Sequence, residues 1–321
     1  MRLRNLLLLS ILACTPGAPA AQGDDESNPE VQRTMQDAFL GRWDLTLRTP
    51  DGDRPSWFEL RRSGRAALVG EFVGIVGSAR PIARVDVSGS GMRFAIPPQW
   101  EEGSADLIVE GRREGEGLAG TVTFPDGSRR EWNGVRAPSL HRSAEPQWGE
   151  PVTLFNGRDL AGWRVIGGEN HWSAVDGVLT NASAGGNLVT ERAFGDFRLR
   201  LEFRYPPRGN SGVYLRGRHE VQVEDSLTPP LHPIVNLGAI YGFIAPSVDA
   251  RRAAGEWQTF DITLVGRLVT VVLNGRPVIV EREIPGPTGG ALDSKEGEPG
   301  PIMLQGDHGP IEYRNIVLTP G

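Results

Sequence analysis

The chain has 321 residues, 39% hydrophobic and 23% charged, which is enough for about two domains with a core each. Its net charge of −6 with no basic stripe excludes nucleic acid as an expected partner, and 42 Gly with 25 Pro favour short strands and turns over long helices. Lys295 is the only lysine, which leaves lysine-nucleophile chemistry a single candidate.

At the N-terminus Arg2 and Arg4 precede the apolar run Leu6 to Ala13, too short to span a bilayer and suited to an export signal. The run ends in Ile11-Leu12-Ala13-Cys14, which resembles a bacterial lipoprotein signal whose cysteine becomes the lipid-carrying first residue. Ala18-Pro19-Ala20 offers the other solution, simple cleavage after Ala20 or Ala21. Residues 1–21 are therefore expected to be a signal peptide. The protein is expected to be exported, as a periplasmic protein or outer-membrane lipoprotein of a bacterium that meets the membrane only through a lipid at Cys14. Cys14 is the only cysteine, so no internal disulfide forms. Residues 22–38 read as a solvated tether, with a short helical stretch around Val31 to Phe39.

Residues 39–137 alternate with period two. In Trp43-Asp44-Leu45-Thr46-Leu47 every second residue is apolar, as a half-buried strand requires. Further strands are expected at Trp57 to Leu60, Ala66 to Val73, Ile82 to Val87, Met92 to Ile96, Leu107 to Gly111, Leu118 to Phe124 and Arg129 to Trp132, with Asp51-Gly52 and Asp126-Gly127 as hairpin turns. About eight short antiparallel strands in a meander imply a small closed or half-open barrel, since closure removes edges. Gly41-Arg42-Trp43 resembles the G-x-W opening of lipocalin-like barrels. Gly115-Glu116-Gly117-Leu118-Ala119-Gly120 matches G-x-G-x-x-G, but charged residues precede it and a strand pattern follows, so it reads as a hairpin turn and not a dinucleotide site. No organic cofactor is expected.

Residues 138–150, with Pro138 and Pro146, read as a linker, and residues 151–321 as a second all-β domain. Ten to twelve strands over this length imply a two-sheet jelly roll. Several strands carry a large polar face. In Glu220-Val221-Gln222-Val223-Glu224 the valines take one side and Glu220, Gln222 and Glu224 the other; in Ser211 to Arg216, Tyr214 and Arg216 stand opposite Val213 and Leu215. A solvated outer sheet face would look the same. Arg, Tyr, Gln and Glu recurring on several strands instead suit a carbohydrate, whose hydroxyls need convergent hydrogen bonds.

The segments that carry this polar face are similar, in order, to the 3-keto-disaccharide hydrolase domain family. The matching stretches are Leu154-Phe155-Asn156-Gly157-Arg158-Asp159-Leu160-Ala161-Gly162-Trp163, Gly209 to Gly217, Glu220 to Asp225, Gly238 to Gly242, Gly300 to Gly309 and Tyr313 to Ile316. The resemblance covers most of residues 150–320 and none of the N-terminal domain. It implies a concanavalin-like β-sandwich and cleavage of glycosides oxidised at C3. The C3 ketone acidifies the C2 proton; a base removes it and the enolate expels the C1 leaving group; with water adding back the enzyme is a hydrolase, without it a lyase. The resemblance also implies that a divalent cation could polarise the ketone. On the matched motifs Glu220, Asp225 and His308 are the candidate catalytic residues and candidate metal ligands. Arg204, Asn210, Tyr214, Arg216, Gln222, Tyr241 and Gln305 are the candidate sugar-binding residues. Two other readings stay open: a two-carboxylate glycosidase using Glu220 with Asp225 or Glu224, and a sugar-binding module without turnover. H-E-x-x-H, C-x-x-C and G-x-S-x-G are all absent.

Overall fold

A computed structural model describes residues 28–65, 67–225 and 232–321. The expected signal at 1–21, with Cys14 and both cleavage sites, lies outside these residues. Within the stretch expected as a tether, residues 29–37 form a helix, α1 (Pro29–Asp37), whose N-cap Asn28 accepts from the Glu30 N–H at 2.9 Å. The helix is held down by Arg62, which donates to Gln36 and Asp37 at 2.8 and 2.5 Å.

Nine strands follow: β1 (Gly41–Thr49), β2 (Gly52–Ser63), β3 (Ala67–Val73), β4 (Arg80–Ile82), β5 (Asp86–Ser88), β6 (Gly91–Ile96), β7 (Leu107–Glu114), β8 (Gly117–Thr123) and β9 (Arg129–Arg136). They form one antiparallel sheet in the order β4-β3-β2-β1-β9-β8-β7-β6-β5. The expected single strand Ile82 to Val87 is split between the two outermost strands. Residues 83–85 carry the chain from one edge of the sheet to the other, a distance that three linking residues limit to about 14 Å. The sheet is therefore curled until its edges nearly meet, yet β4 and β5 do not pair: it is a half-open barrel. Its core packs Phe58 edge-on to Phe94 and Trp132, with centroids 5.7 and 6.2 Å apart. Trp43, from the G-x-W triplet, is fully buried beneath Arg136, whose guanidinium lies 4.0 Å from the ring centroid. The G-x-G-x-x-G stretch is the β7–β8 turn, with Glu114 paired to Gly117.

The second domain contains β10 (Val152–Thr153), β11 (Trp163–Ile166), β12 (Trp172–Val175), β13 (Val178–Asn181), β14 (Asn187–Thr190), β15 (Phe197–Arg204) and β16 (Asn210–Leu215). It continues with β17 (His219–Glu224), β18 (Gln258–Val265), β19 (Leu268–Leu273), β20 (Arg276–Glu283), β21 (Met303–Leu304) and β22 (Ile311–Pro320). One sheet runs β12-β13-β22-β15-β18-β19-β20, with β10 also on β22; the other runs β11-β14-β21-β16-β17. The apolar positions of both, among them Phe197, Leu199, Leu201 and Phe203 against Val213, Val221, Val223 and Leu304, make a single core between the sheets. Asn274 and Gly275, both at positive φ, form the tight turn from β19 to β20.

The two domains are joined by more than the linker. The Trp57 indole N–H donates to the Pro287 carbonyl at 2.7 Å, and Ser294 Oγ donates to the Leu45 carbonyl at 2.6 Å. Between the domains, Glu296 is fully buried and meets Arg42, Arg267 (3.1 Å) and His219 (3.5 Å). Buried charge of this kind is tolerated because both signs are present.

Candidate functional site

The β16–β17 hairpin supplies the floor of the site. Its register pairs Tyr214 with Glu220, Gly212 with Gln222 and Asn210 with Glu224, so these side chains fall on one face while Val213, Val221 and Val223 fall on the other. Strand β21 lies beside β16, and Gln305, just past its end, donates its N–H to the Gly212 carbonyl at 2.9 Å. The turn that follows brings in Asp307 and His308.

This polar face is not solvated. Tyr214, Glu220 and Gln222 are only 2%, 3% and 4% exposed. What covers them is the segment after β20 together with a loop of the N-terminal domain: Thr288 Oγ1 accepts from the Glu220 N–H at 3.0 Å, and Gly290 N–H donates to the Ile75 carbonyl at 2.8 Å. A cleft of about 340 Å³ remains between floor and cover. It is lined by Asn210, Tyr214, Glu220, Gln222, Tyr241, Gln305, Asp307 and His308 from the second domain, by Gly289 and Gly290 from the covering segment, and by Val76, Gly77 and Trp100 from the first domain. That volume is near the lower end for small-molecule sites, roughly 300–1,000 Å³.

Burial drives the electrostatics. The Glu220 carboxyl is pushed up to about 8, first by desolvation and further by the neighbouring Asp307 and Glu224, against the lowering pull of Tyr214 and His308. Tyr214 Oη stands 2.8 Å from Glu220 Oε2 and 3.1 Å from the Gly289 carbonyl. One phenolic proton cannot serve both acceptors. A protonated Glu220 resolves the conflict by donating to Tyr214, which then donates to Gly289. Gly212 makes room for the carboxyl: a Cβ there would fall 2.3 Å from Glu220 Oε1. His308 Nδ1 lies 2.5 Å from Asp307 Oδ1, and this contact raises the imidazole above its usual range. The carbonyl oxygens of the Gln222 and Gln305 side chains are buried without a partner, an arrangement that costs free energy unless a ligand satisfies them.

Eight of the eleven residues singled out in the sequence, counting Glu224 from the glycosidase reading, are set on or beside this hairpin face; three stand elsewhere. Asp225 Oδ2 accepts from the Arg208 N–H at 2.8 Å and caps the turn before β16. Arg204 is on the outer face of the other sheet, bonded to Glu312 and lying 4.8 Å over the Trp257 ring. Arg216, read as the next polar position after Tyr214, belongs to the β16–β17 turn at φ 55; it donates to the Gly266 carbonyl at 2.7 Å, and burial lowers its guanidinium to about 10. Asp307 belongs to a matched motif, whereas Trp100 and Gly77 carry no local signal that would have marked them. Among the described residues no three His, Cys, Asp or Glu side chains gather as a metal-binding set. Glu220 and His308 share the cleft and Asp225 does not line it, while Asp307 occupies only the Nδ1 side of the His308 ring. The three expected ligands therefore do not meet as one donor set.

A family model described as 3-keto-alpha-glucoside-1,2-lyase-like domain matches residues 150–319. A 3-keto-disaccharide hydrolase of Bacteroides thetaiotaomicron is 27% identical over 95 residues, 26% of this chain and 33% of that protein, so the match spans about a third of that curated relative. Two crystal structures from Parabacteroides distasonis, both provisionally named glycosyl hydrolases, are also similar. One is 30% identical, covers 56% of this chain and 93% of that one, and has a TM-score of 0.46. The other is 26% identical, covers 53% and 98%, and has a TM-score of 0.43.

Proposed function

Because the chain belongs to the 3-keto-alpha-glucoside-1,2-lyase-like domain family, we propose that it cleaves the glycosidic bond of 3-keto-glycosides, 3-keto-disaccharides among them, by removing the proton at C2. The observation that carries this reading is the meeting of Glu220, His308, Gln222 and Gln305 in one cleft.

Glu220 is the base. A carboxyl raised to about 8 is a much stronger base when ionised than an ordinary glutamate, and a C–H made acidic by a neighbouring ketone needs such a base. Tyr214 holds it in place. As the proton leaves C2, charge moves onto the C3 oxygen, where the amide N–H groups of Gln222 or Gln305 and the hydroxyl of Tyr241 can donate to it. The electron pair then expels the C1 oxygen, which takes a proton from His308; Asp307 orients the imidazole and favours its protonated form. The product is a sugar enone with a C1–C2 double bond beside the restored C3 ketone, and water adding across that double bond completes a net hydrolysis.

Incubating the purified chain with a 3-keto-disaccharide and with its unoxidised parent, each with and without chelator, tests the reading. Turnover of the oxidised sugar alone is expected. Turnover of the unoxidised parent would point to a two-carboxylate glycosidase, and binding of either without turnover to a sugar-binding module. The chelator arm decides whether a divalent cation takes part.

A further inference from the structure

The cleft has a wall that the family match does not reach. Val76, Gly77 and Trp100 all precede residue 150 and come from the half-open barrel. Trp100 is 66% exposed, an unusual state for the largest apolar side chain, and its loop is fixed by contacts on several sides. The Glu101 carboxylate accepts from the N–H groups of Gln99 and Trp100 at 2.8 and 3.2 Å and grips Arg80 with both oxygens at 3.0 and 3.1 Å. The Gln99 side chain bonds Ser78 through both its nitrogen (2.7 Å) and its oxygen (3.0 Å). Gly77, at φ +86, lies so close under the indole that a Cβ would fall 2.5 Å from Cδ1. The β3–β4 loop that carries Gly77 and Ser78 is in turn seated on the second domain, where a Cβ on Gly242 would strike Ser78 at 2.7 Å. The indole thus rests on Gly77, on a braced loop, at the mouth of a cleft whose interior presents unpartnered buried amide oxygens.

An exposed aromatic on a braced loop beside convergent polar groups is the arrangement that recognises a ring: the polar groups take the hydroxyls and the aromatic takes the apolar face. The reacting ring must lie against Glu220, deep in the cleft. What reaches Trp100 at the rim is the part that projects outward. We propose that Trp100 is a substrate-binding residue that stacks on a ring carried by the leaving group, either a second sugar or an aryl aglycone, and that the N-terminal domain thereby selects which glycosides are cleaved. This rests on the function proposed above.

Carbon-linked 3-keto-glycosides, which cannot expel their leaving group, separate binding from turnover. Calorimetric titration of the full chain, of Trp100→Ala and of Trp100→Phe would use three such probes: a disaccharide, an aryl glucoside and a methyl glucoside. Turnover of the oxygen-linked disaccharide is followed in parallel. Stacking of about 0.5–1.5 kcal/mol beyond simple burial makes the expected rise in Kd for Trp100→Ala roughly two- to twelvefold with a ring-bearing probe. The methyl probe should change less than about twofold, and Trp100→Phe should keep most of the affinity. A rise confined to the disaccharide identifies a sugar as the stacked ring, and a rise confined to the aryl probe identifies an aglycone. Equal affinities of Trp100→Ala and the parent for all three probes would overturn the proposal and leave the cleavage reading intact. A loss that includes the methyl probe to the same extent would also overturn it. If the parent binds the probes but turns nothing over, the cleavage reading fails and the Kd ratios still decide the role of Trp100. If the parent binds none of them, both fail.

Discussion

Replacing Glu220 by glutamine separates catalysis from stability, because the two should move in opposite directions. The carboxyl has an ordinary value of 4.5 and is pushed up to about 8 by burial. The folded chain therefore holds a proton that the unfolded chain has released across this interval. The stability tied to that proton is fully present below 4.5 and is lost as pH rises through 8. At ~1.4 kcal/mol per tenfold change in acidity, the loss between pH 5 and pH 8 is roughly 3 kcal/mol. Glutamine cannot ionise, and its amide N–H can replace the carboxyl proton as the donor to Tyr214, so Glu220→Gln should not suffer this loss. Urea denaturation of both proteins at pH 5 and pH 8 measures it. Titrating groups remote from Glu220 cancel in the difference of differences, and making both measurements in a His308→Gln background removes the coupled imidazole. The variant should gain about 3 kcal/mol relative to the parent on going from pH 5 to pH 8, while kcat on a 3-keto-disaccharide falls by 10³-fold or more, as expected for loss of a general base (~10²–10⁴). A stability difference that is the same at both pH values would refute the reasoning, since it would mean that the buried carboxyl ionises as freely as in water.

The remaining expectations address the geometry around that carboxyl and the seating of the domains. Gly212→Ala places a methyl 2.3 Å from Glu220 Oε1; kcat/KM should drop by about a hundredfold with the substrate Kd little changed, as displacements near 1 Å do, and unchanged kinetics would show that the carboxyl's position is immaterial. The pH profile of kcat/KM should be bell-shaped, needing Glu220 ionised and His308 protonated, and His308→Gln should leave a weak activity that only rises, through about pH 8, to a plateau. A falling limb that persists in that variant would assign it to another group. Glu296→Gln removes the carboxylate shared by Arg42 and Arg267 and leaves them only Asp44 at 3.3 Å and the exposed Glu283 at 3.7 Å; it should cost up to roughly 3–5 kcal/mol in denaturant unfolding, and a loss below about 1 kcal/mol would mean that the remaining carboxylates and water replace the ion pair.

Much of the candidate site could be read from alternation. In Glu220 to Glu224 every second residue is a valine, and both valines are in the sandwich core with Glu220 and Gln222 on the opposite face. The matched motifs also pointed to Gln305 and to His308 in the turn beyond it. Alternation names a side but not the sheet to which a strand belongs. Arg204 has the same kind of pattern as Gln222, yet its strand lies in the other sheet and its polar face is the outer surface. Alternation also fails where a strand ends. Arg216 continues the Tyr214 period on paper, but the chain has already turned at positive φ. In the first domain the run Ile82 to Val87 looks like one strand because both halves are β-favouring; it is two because the chain leaves one edge of the curled sheet for the other.

The sequence by itself determined the all-β class of the fold, the hairpin turn at Gly115 and the face on which the candidate base stands, since these follow from spacing along one strand or from the preferences of single residues. Only the tertiary structure decided that this face is buried, that Glu220 is consequently held near 8, and that Trp100 closes the rim from the other domain. Burial and the approach of distant segments depend on how two sheets and two domains pack, and a local pattern of residues carries no record of what will be laid across it.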